Sequence, residues 1–182
     1  MNLSVTVLTF NRPDLLDRCI DSINAQLTEE STGVERVVVC NGGPTAPPFV
    51  NWTIHRLPAN LGNISGQNHC FSMAQEKWVL FVSDDVVMGE ESIASLWRHR
   101  FEGQLMPAIF NLDGTIQSLG GVLKMGLYGI NRTTRGPIDY IPSICYLMPR
   151  ELWAHEAGFD PKYPGAYEDV DMGVRLGRSR LQ

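Results

Sequence analysis

Two groups of carboxylates stand out by type and spacing. Asp84-Asp85 close a run of apolar residues, Trp78-Val79-Leu80-Phe81-Val82, with only Ser83 between. Glu168-Asp169-Val170-Asp171 packs three carboxylates into four residues. Carboxylate oxygens can hold a divalent cation or take a proton from a hydroxyl nucleophile. Adjacent side chains on an extended segment point opposite ways, so one of Asp84 and Asp85 is expected to reach a metal while the other contacts substrate or supports the loop. A structural reading stands beside this one: Asp is a preferred helix N-cap and is favoured in a first turn.

These residues need elements to position them. A continuous apolar run such as 78–82 suits a strand covered on both faces in a parallel sheet, and in open α/β sheets the ligand sits outside the carboxyl ends of the strands. Asp84 and Asp85 then stand where a ligand is expected. Residues 3–10 predict an opening strand that ends in Thr9-Phe10-Asn11-Arg12, with Pro13 at the first position of a helix. Leu15, Leu16, Cys19, Ile20, Ile23 and Leu27 give that helix one apolar face. A valine-rich strand at 35–40 and the turn Asn41-Gly42-Gly43-Pro44 complete a strand, helix, strand crossover.

A short strand is expected at 52–57. The stretch Asn60 to Asn68 reads as a loop able to wrap a ligand with backbone and amide groups, or as a capped helix start. A helix is expected at 90–101, and Asn111-Leu112-Asp113-Gly114 predicts a hairpin between 105–110 and 115–119. Residues 120–137, rich in Gly and Arg without a period, predict a long mobile loop near the site. A strand at 138–148 and a helix at 150–157 ending at Gly158 follow.

The chain of 182 residues is the size of one domain. Its net charge of −5 speaks against a nucleic-acid surface. No segment approaches the roughly 18 to 20 apolar residues needed to span a bilayer. With no basic leader at the start, the expectation is a cytoplasmic protein, peripheral to a membrane only through partners. Cys19, Cys40, Cys70 and Cys145, widely spaced, predict reduced core thiols. Oligomeric state has no signature here.

With these stretches assembled, the sequence resembles family 2 glycosyltransferases of the GT-A fold and is most similar to their rhamnosyltransferase-like branch. Five stretches match in order: the opening strand through Thr9-Phe10-Asn11-Arg12, the second strand with its Asn-Gly turn, Asn60-Leu61-Gly62 to Asn68, the Asp84-Asp85 strand end, and the block from Cys145 to Arg175. That block carries the family's Gly-Phe-Asp turn and Glu-Asp-Val-Asp motif. Two positions depart from the pattern: Cys40 stands where members commonly carry an Asp that contacts the base, and Ser83 opens the metal motif.

The resemblance implies a single α/β Rossmann-like domain, with a mostly parallel central sheet flanked by helices and a small antiparallel hairpin. Residues 1–86 would form the nucleotide-sugar half and 87–182 the acceptor half. It implies metal-dependent, inverting transfer from a nucleoside-diphosphate sugar to the hydroxyl of a glycan or other acceptor. Mn²⁺ or Mg²⁺ would sit on Asp85 with Asp84. Thr9, Asn11, Arg12, Asn41, Asn60, Gly62, Asn68 and Asp84 would surround the donor, Asp169 would act as base with Glu168 as second candidate, and Tyr167 and Asp171 would face the acceptor. Trp153, Phe159, Tyr163 and Tyr167 could wall the acceptor site or, for Trp153 and Phe159, belong to the core. A nucleotidyltransferase would need a Gly-rich loop where Asn11-Arg12-Pro13-Asp14 stands. The other reading is a truncated module that binds nucleotide or sugar without turnover.

Overall fold

The computed structural model describes residues 1–27, 31, 33–43, 48–125, 128–163 and 165–179. Its main sheet runs, edge to edge, β3 (Thr53–Arg56), β2 (Val34–Cys40), β1 (Leu3–Thr9), β4 (Trp78–Ser83) and β9 (Cys145–Pro149). The first four are parallel, and β9 runs antiparallel to β4. Every residue of the central β1 is buried, as expected of a strand with helices on both faces.

Alternation along the strands sorts the core into two layers. Val5, Val7, Leu80, Val82 and Leu147 face α1 (Pro13–Asn24), which contributes Leu16, Cys19, Ile20 and Ile23. Leu8, Val79, Phe81 and Tyr146 face α2 (Gly62–Met73), which contributes Ile64, Cys70 and Phe71. Trp153 of α4 (Arg150–His155), Phe159 and Met172 of α5 (Glu168–Ser179) close that second layer. Phe71 and Trp153 stack at 3.8 Å between centroids. Truncating such a ring to Ala costs on the order of 3–5 kcal/mol, so Trp153 and Phe159 serve the core. All four cysteines are buried and free of disulfides.

The antiparallel edge decides what meets at the site. Val82 pairs with Cys145, and the Ser83 N–H donates to the Ile144 carbonyl at 3.0 Å. Asp84 follows Ser83 and Ser143 precedes Ile144 in the chain, so this bond joins the end of one strand to the approach of another.

Several expectations change. The loop foreseen over 120–137 contains an antiparallel pair, β7 (Gly121–Lys124) with β8 (Tyr128–Asn131). Its glycines mark close packing: a Cβ on Gly129 would stand 2.9 Å from Val170 Cγ2 and 3.0 Å from Tyr140 Oη. The strand expected over 138–148 begins only at Cys145, since Pro142 cannot donate to a ladder; the Gly121 N–H bonds the Tyr140 carbonyl instead. Of the two readings of 60–68, ligand-wrapping loop or helix start, the helix start holds, with α2 beginning at Gly62. The hairpin at 111–114 is present, with shorter arms than foreseen, β5 (Ile109–Phe110) and β6 (Ile116–Ser118). Leu105 instead bridges Leu147 and widens the main sheet. The helix foreseen at 90–101 is α3 (Ser92–His99), continued by a 3-10 turn at Arg100–Glu102.

Candidate active site

The carboxyl ends of β1 and β4 lie side by side, and their last residues lock together. Asp84 is 1% exposed. Its Oδ2 accepts the Thr9 hydroxyl at 2.7 Å, and the Phe10 N–H also donates to its carboxylate. Arg12 Nη2 stands 2.7 Å from Asp84 Oδ1, off the axis of a hydrogen bond, while Nη1 bonds Asp85 Oδ2 at 3.1 Å. Burial pushes the Asp84 carboxyl up and the Asp85 charge adds to this, whereas the Thr9 bond and Arg12 oppose it. Asp85 itself is 48% exposed and stands toward solvent.

A cavity of about 280 Å³ opens at these strand ends. Six of the eight residues expected around the donor line it: Thr9, Arg12, Asn41, Asn60, Gly62 and Asp84. Asn41 and Asn60 build its rim by ordering the start of α2. Asn41 Oδ1 accepts the Leu61 N–H and its Nδ2 donates to the Gly62 carbonyl, both at 2.9 Å, and Asn60 Oδ1 accepts the Gly62 N–H at 2.8 Å. Asn11 and Asn68 are not in the lining. Asn11 adopts a left-handed conformation (φ 55°) beside Gly43. The Asn68 carboxamide bonds both the N–H and the carbonyl of Phe159, at 2.9 Å each, tying α2 to the later block. Cys40 is buried among apolar side chains, so a base contact from that position is not offered. A larger cleft of about 590 Å³, beside α3, holds none of the expected residues.

The second carboxylate group gathers on Ser143. Glu168, 5% exposed, accepts the Ser143 hydroxyl at 2.7 Å. Asp169 receives the N–H groups of Val170 and Ser143; burial first, then the Glu168 charge, push its carboxyl up. Tyr140 lies against this pair: burial, then Asp169 and Tyr167, raise its phenol. Tyr167 is half-exposed in a left-handed conformation (φ 71°). Asp171 is engaged elsewhere. It bonds Arg175 Nε at 2.8 Å, and that guanidinium also donates to the carbonyls of Glu156 and Gly158.

The sequence model of glycosyl transferase family 2 matches residues 4–104. The chain belongs to that family. It is 26% identical to the N-acetylglucosaminyl-diphospho-decaprenol L-rhamnosyltransferase of Mycobacterium tuberculosis, over 97% of this chain and 71% of that protein. Among solved structures, it superposes on the mannosyltransferase PcManGT of Pyrobaculum calidifontis, in complex with GDP-Man and Mn²⁺, with a TM-score of 0.66. That match has 14% identity over 94% of this chain and 50% of the other. TarS 1–349 of S. aureus in complex with UDP-GlcNAc gives a TM-score of 0.63 and 16% identity over 95% and 52%. The transferase thus spans about half of those two solved chains, and its fold is GT-A.

Sequence reasoning missed the polar spine behind the Glu168–Asp169 pair of this transferase. The Tyr146 hydroxyl donates to Gln67 Oε1 at 3.0 Å, Gln67 Nε2 donates to the Ser143 carbonyl at 3.3 Å, and Ser143 holds Glu168. Gln67 is fully buried. One signal was available: Gln67 falls on the helical face of Ile64 and Phe71, where a polar residue demands a partner. Ser143 and Tyr140, in irregular chain, carried no such mark.

Proposed function

We propose that this family 2 glycosyltransferase transfers a sugar from a nucleoside-diphosphate sugar to an acceptor hydroxyl by single displacement with inversion. The observation that carries the reading is the antiparallel edge β4–β9. It bonds Ser83, the residue before Asp84 at the cavity, to Ile144, the residue after Ser143, which holds Glu168 and Asp169. The acceptor oxygen attacks the anomeric carbon from the face opposite the diphosphate. Its bond to carbon forms as the bond from carbon to the diphosphate oxygen breaks. The leaving oxygen keeps the electron pair, and the acceptor proton passes to Asp169.

Asp169 suits the role of base because its raised carboxyl binds a proton more readily than an ordinary one. Glu168, hydrogen-bonded to Ser143, positions it. Asp85, half-exposed and bonded to the cavity-lining Arg12, and Asp84, with an oxygen that lacks a directed hydrogen bond, fit a divalent cation. No cluster of three ligating side chains exists among the described residues, which suits Mg²⁺ or Mn²⁺ completing its shell with phosphate and water oxygens. When bound, the cation stabilises charge developing on the leaving diphosphate. The mycobacterial relative's name supports a deoxyhexose donor and a lipid-linked saccharide acceptor, reached from the membrane surface. No helix among the described residues is long and apolar enough to cross a membrane.

Calorimetric titration with UDP, GDP, TDP and CDP, each with and without Mn²⁺, tests the donor site. One of them is expected to bind with metal dependence, and Asp85→Ala to abolish that dependence. Asp169→Asn should retain nucleotide binding and lose transfer. Absence of binding by all four with metal present overturns the reading.

A further inference from the structure

Arg12 closes the site with a charge of its own. One guanidinium spans two successive carboxylates, with Nη2 2.7 Å from Asp84 Oδ1 and Nη1 3.1 Å from Asp85 Oδ2. The two carboxylates differ in freedom. Asp84 is anchored by the Thr9 hydroxyl and the Phe10 N–H and cannot turn away. Arg12, 48% exposed, stands at the N-cap of α1 without capping it through its side chain. Arg12 is therefore the partner that can leave.

We infer that Arg12 is an internal cation occupying the seat a divalent metal needs, so that the metal must displace it and the donor diphosphate helps it go. This rests on the donor site proposed above. A guanidinium and a divalent ion compete for the Asp84 and Asp85 carboxylates, because like charges a few ångströms apart repel. The contact with Asp84 Oδ1 is a charge contact without hydrogen-bond alignment, so this oxygen gains from a better-directed ligand. A diphosphate offers the guanidinium fork paired oxygens that it can bind bidentately. Donor arrival then draws Arg12 off the carboxylates and frees them together. Metal and diphosphate each strengthen the other's binding, and by linkage the effect is equal in both directions. Arg12 acts as a positioning residue: it sets when the seat is available.

The test uses the metal alone first. Mn²⁺ binding is followed by loss of the free-ion electron paramagnetic resonance signal for the unmodified chain, Arg12→Gln and Arg12→Lys, with circular dichroism to confirm folding. Arg12→Gln is expected to bind Mn²⁺ at least about tenfold more tightly than the unmodified chain, roughly the effect of releasing one charge-assisted pair. Arg12→Lys should fall between, and adding Asp85→Ala to Arg12→Gln should remove the gain. Equal or weaker Mn²⁺ binding by Arg12→Gln overturns the inference, and this arm needs no nucleotide, so its failure is separate from failure of the donor assignment. The second arm adds whichever of UDP, GDP, TDP or CDP binds. It should enhance Mn²⁺ affinity by a larger factor in the unmodified chain than in Arg12→Gln; equal factors overturn the coupling.

Discussion

Asp169 is held where its ionised form is costly, and that has two consequences of opposite sign. Burial and the Glu168 charge raise its carboxyl above the ordinary Asp range. The raised group is the better base. Folding correspondingly favours its protonated form, so the ionised side chain lowers stability at neutral pH, and the penalty fades as pH falls through the carboxylate range. Asp169→Asn is expected to lose transfer by on the order of 10² to 10⁴-fold while its thermal midpoint at neutral pH rises. The two melting curves should converge near pH 4, an approximate figure set by ordinary carboxylates, and a midpoint below that of the unmodified chain at neutral pH would refute the account. Glu168→Gln removes one of the two causes of the shift, so the acid limb of the pH–rate profile should move to lower pH. The pair itself was legible in sequence as adjacent carboxylates at a helix start. Ser143, which holds both of them, was not, because the contact spans 25 residues of chain and ends in an irregular segment.

At the scale of elements, the legible parts are those whose burial is complete or strictly one-sided. β1 shows a looser alternation of apolar residues with Ser4 and Thr6, while β4 and α1 announce themselves because two-sided burial writes a continuous apolar run and one-sided burial writes a helical face. The β7–β8 pair did not, since its glycines read equally as chain breakers and as places where another element comes close. Here they mean closeness. Gly129 lies under Tyr140 and against Val170, next to Asp169 on α5, and Gly173 of α5 has no room for a side chain against Asp139 and Tyr140. Gly129 has no unusual backbone requirement, so Gly129→Val acts through space alone. It should push the first turn of α5 off its seat, at a cost of about 1–3 kcal/mol typical of overpacking. Transfer should fall while nucleotide titration stays unchanged, because the donor cavity is lined by other elements. An equal loss of both would mean that the hairpin supports the whole sheet rather than the Glu168–Asp169 turn.

The whole molecule is organised so that the two carboxylate groups share one support. Both core layers mix early and late chain: Leu3 with Leu147 on one face, Leu8 with Met172 on the other. A ligand at the donor cavity should therefore stabilise the entire chain rather than one half of it. The chain is acidic, with a net charge of −5, and on the proposed donor site Asp84 and Asp85 add local negative charge where an anionic diphosphate would dock. Nucleotide alone is accordingly expected to shift the thermal midpoint little, and nucleotide with Mn²⁺ to shift it strongly. At a free nucleotide concentration of 100 times Kd the linkage amounts to about 2.7 kcal/mol. For a chain of this size each kcal/mol moves the midpoint by roughly 2–4 °C, so the expected rise is about 5 to 10 °C in a single transition. Asp85→Ala should lose the metal-dependent part of the rise, and Asp169→Asn should keep it, since the base acts on the acceptor. A melt in two steps, with only the first moved by nucleotide, would instead mean that residues 1–86 fold and bind independently of β9.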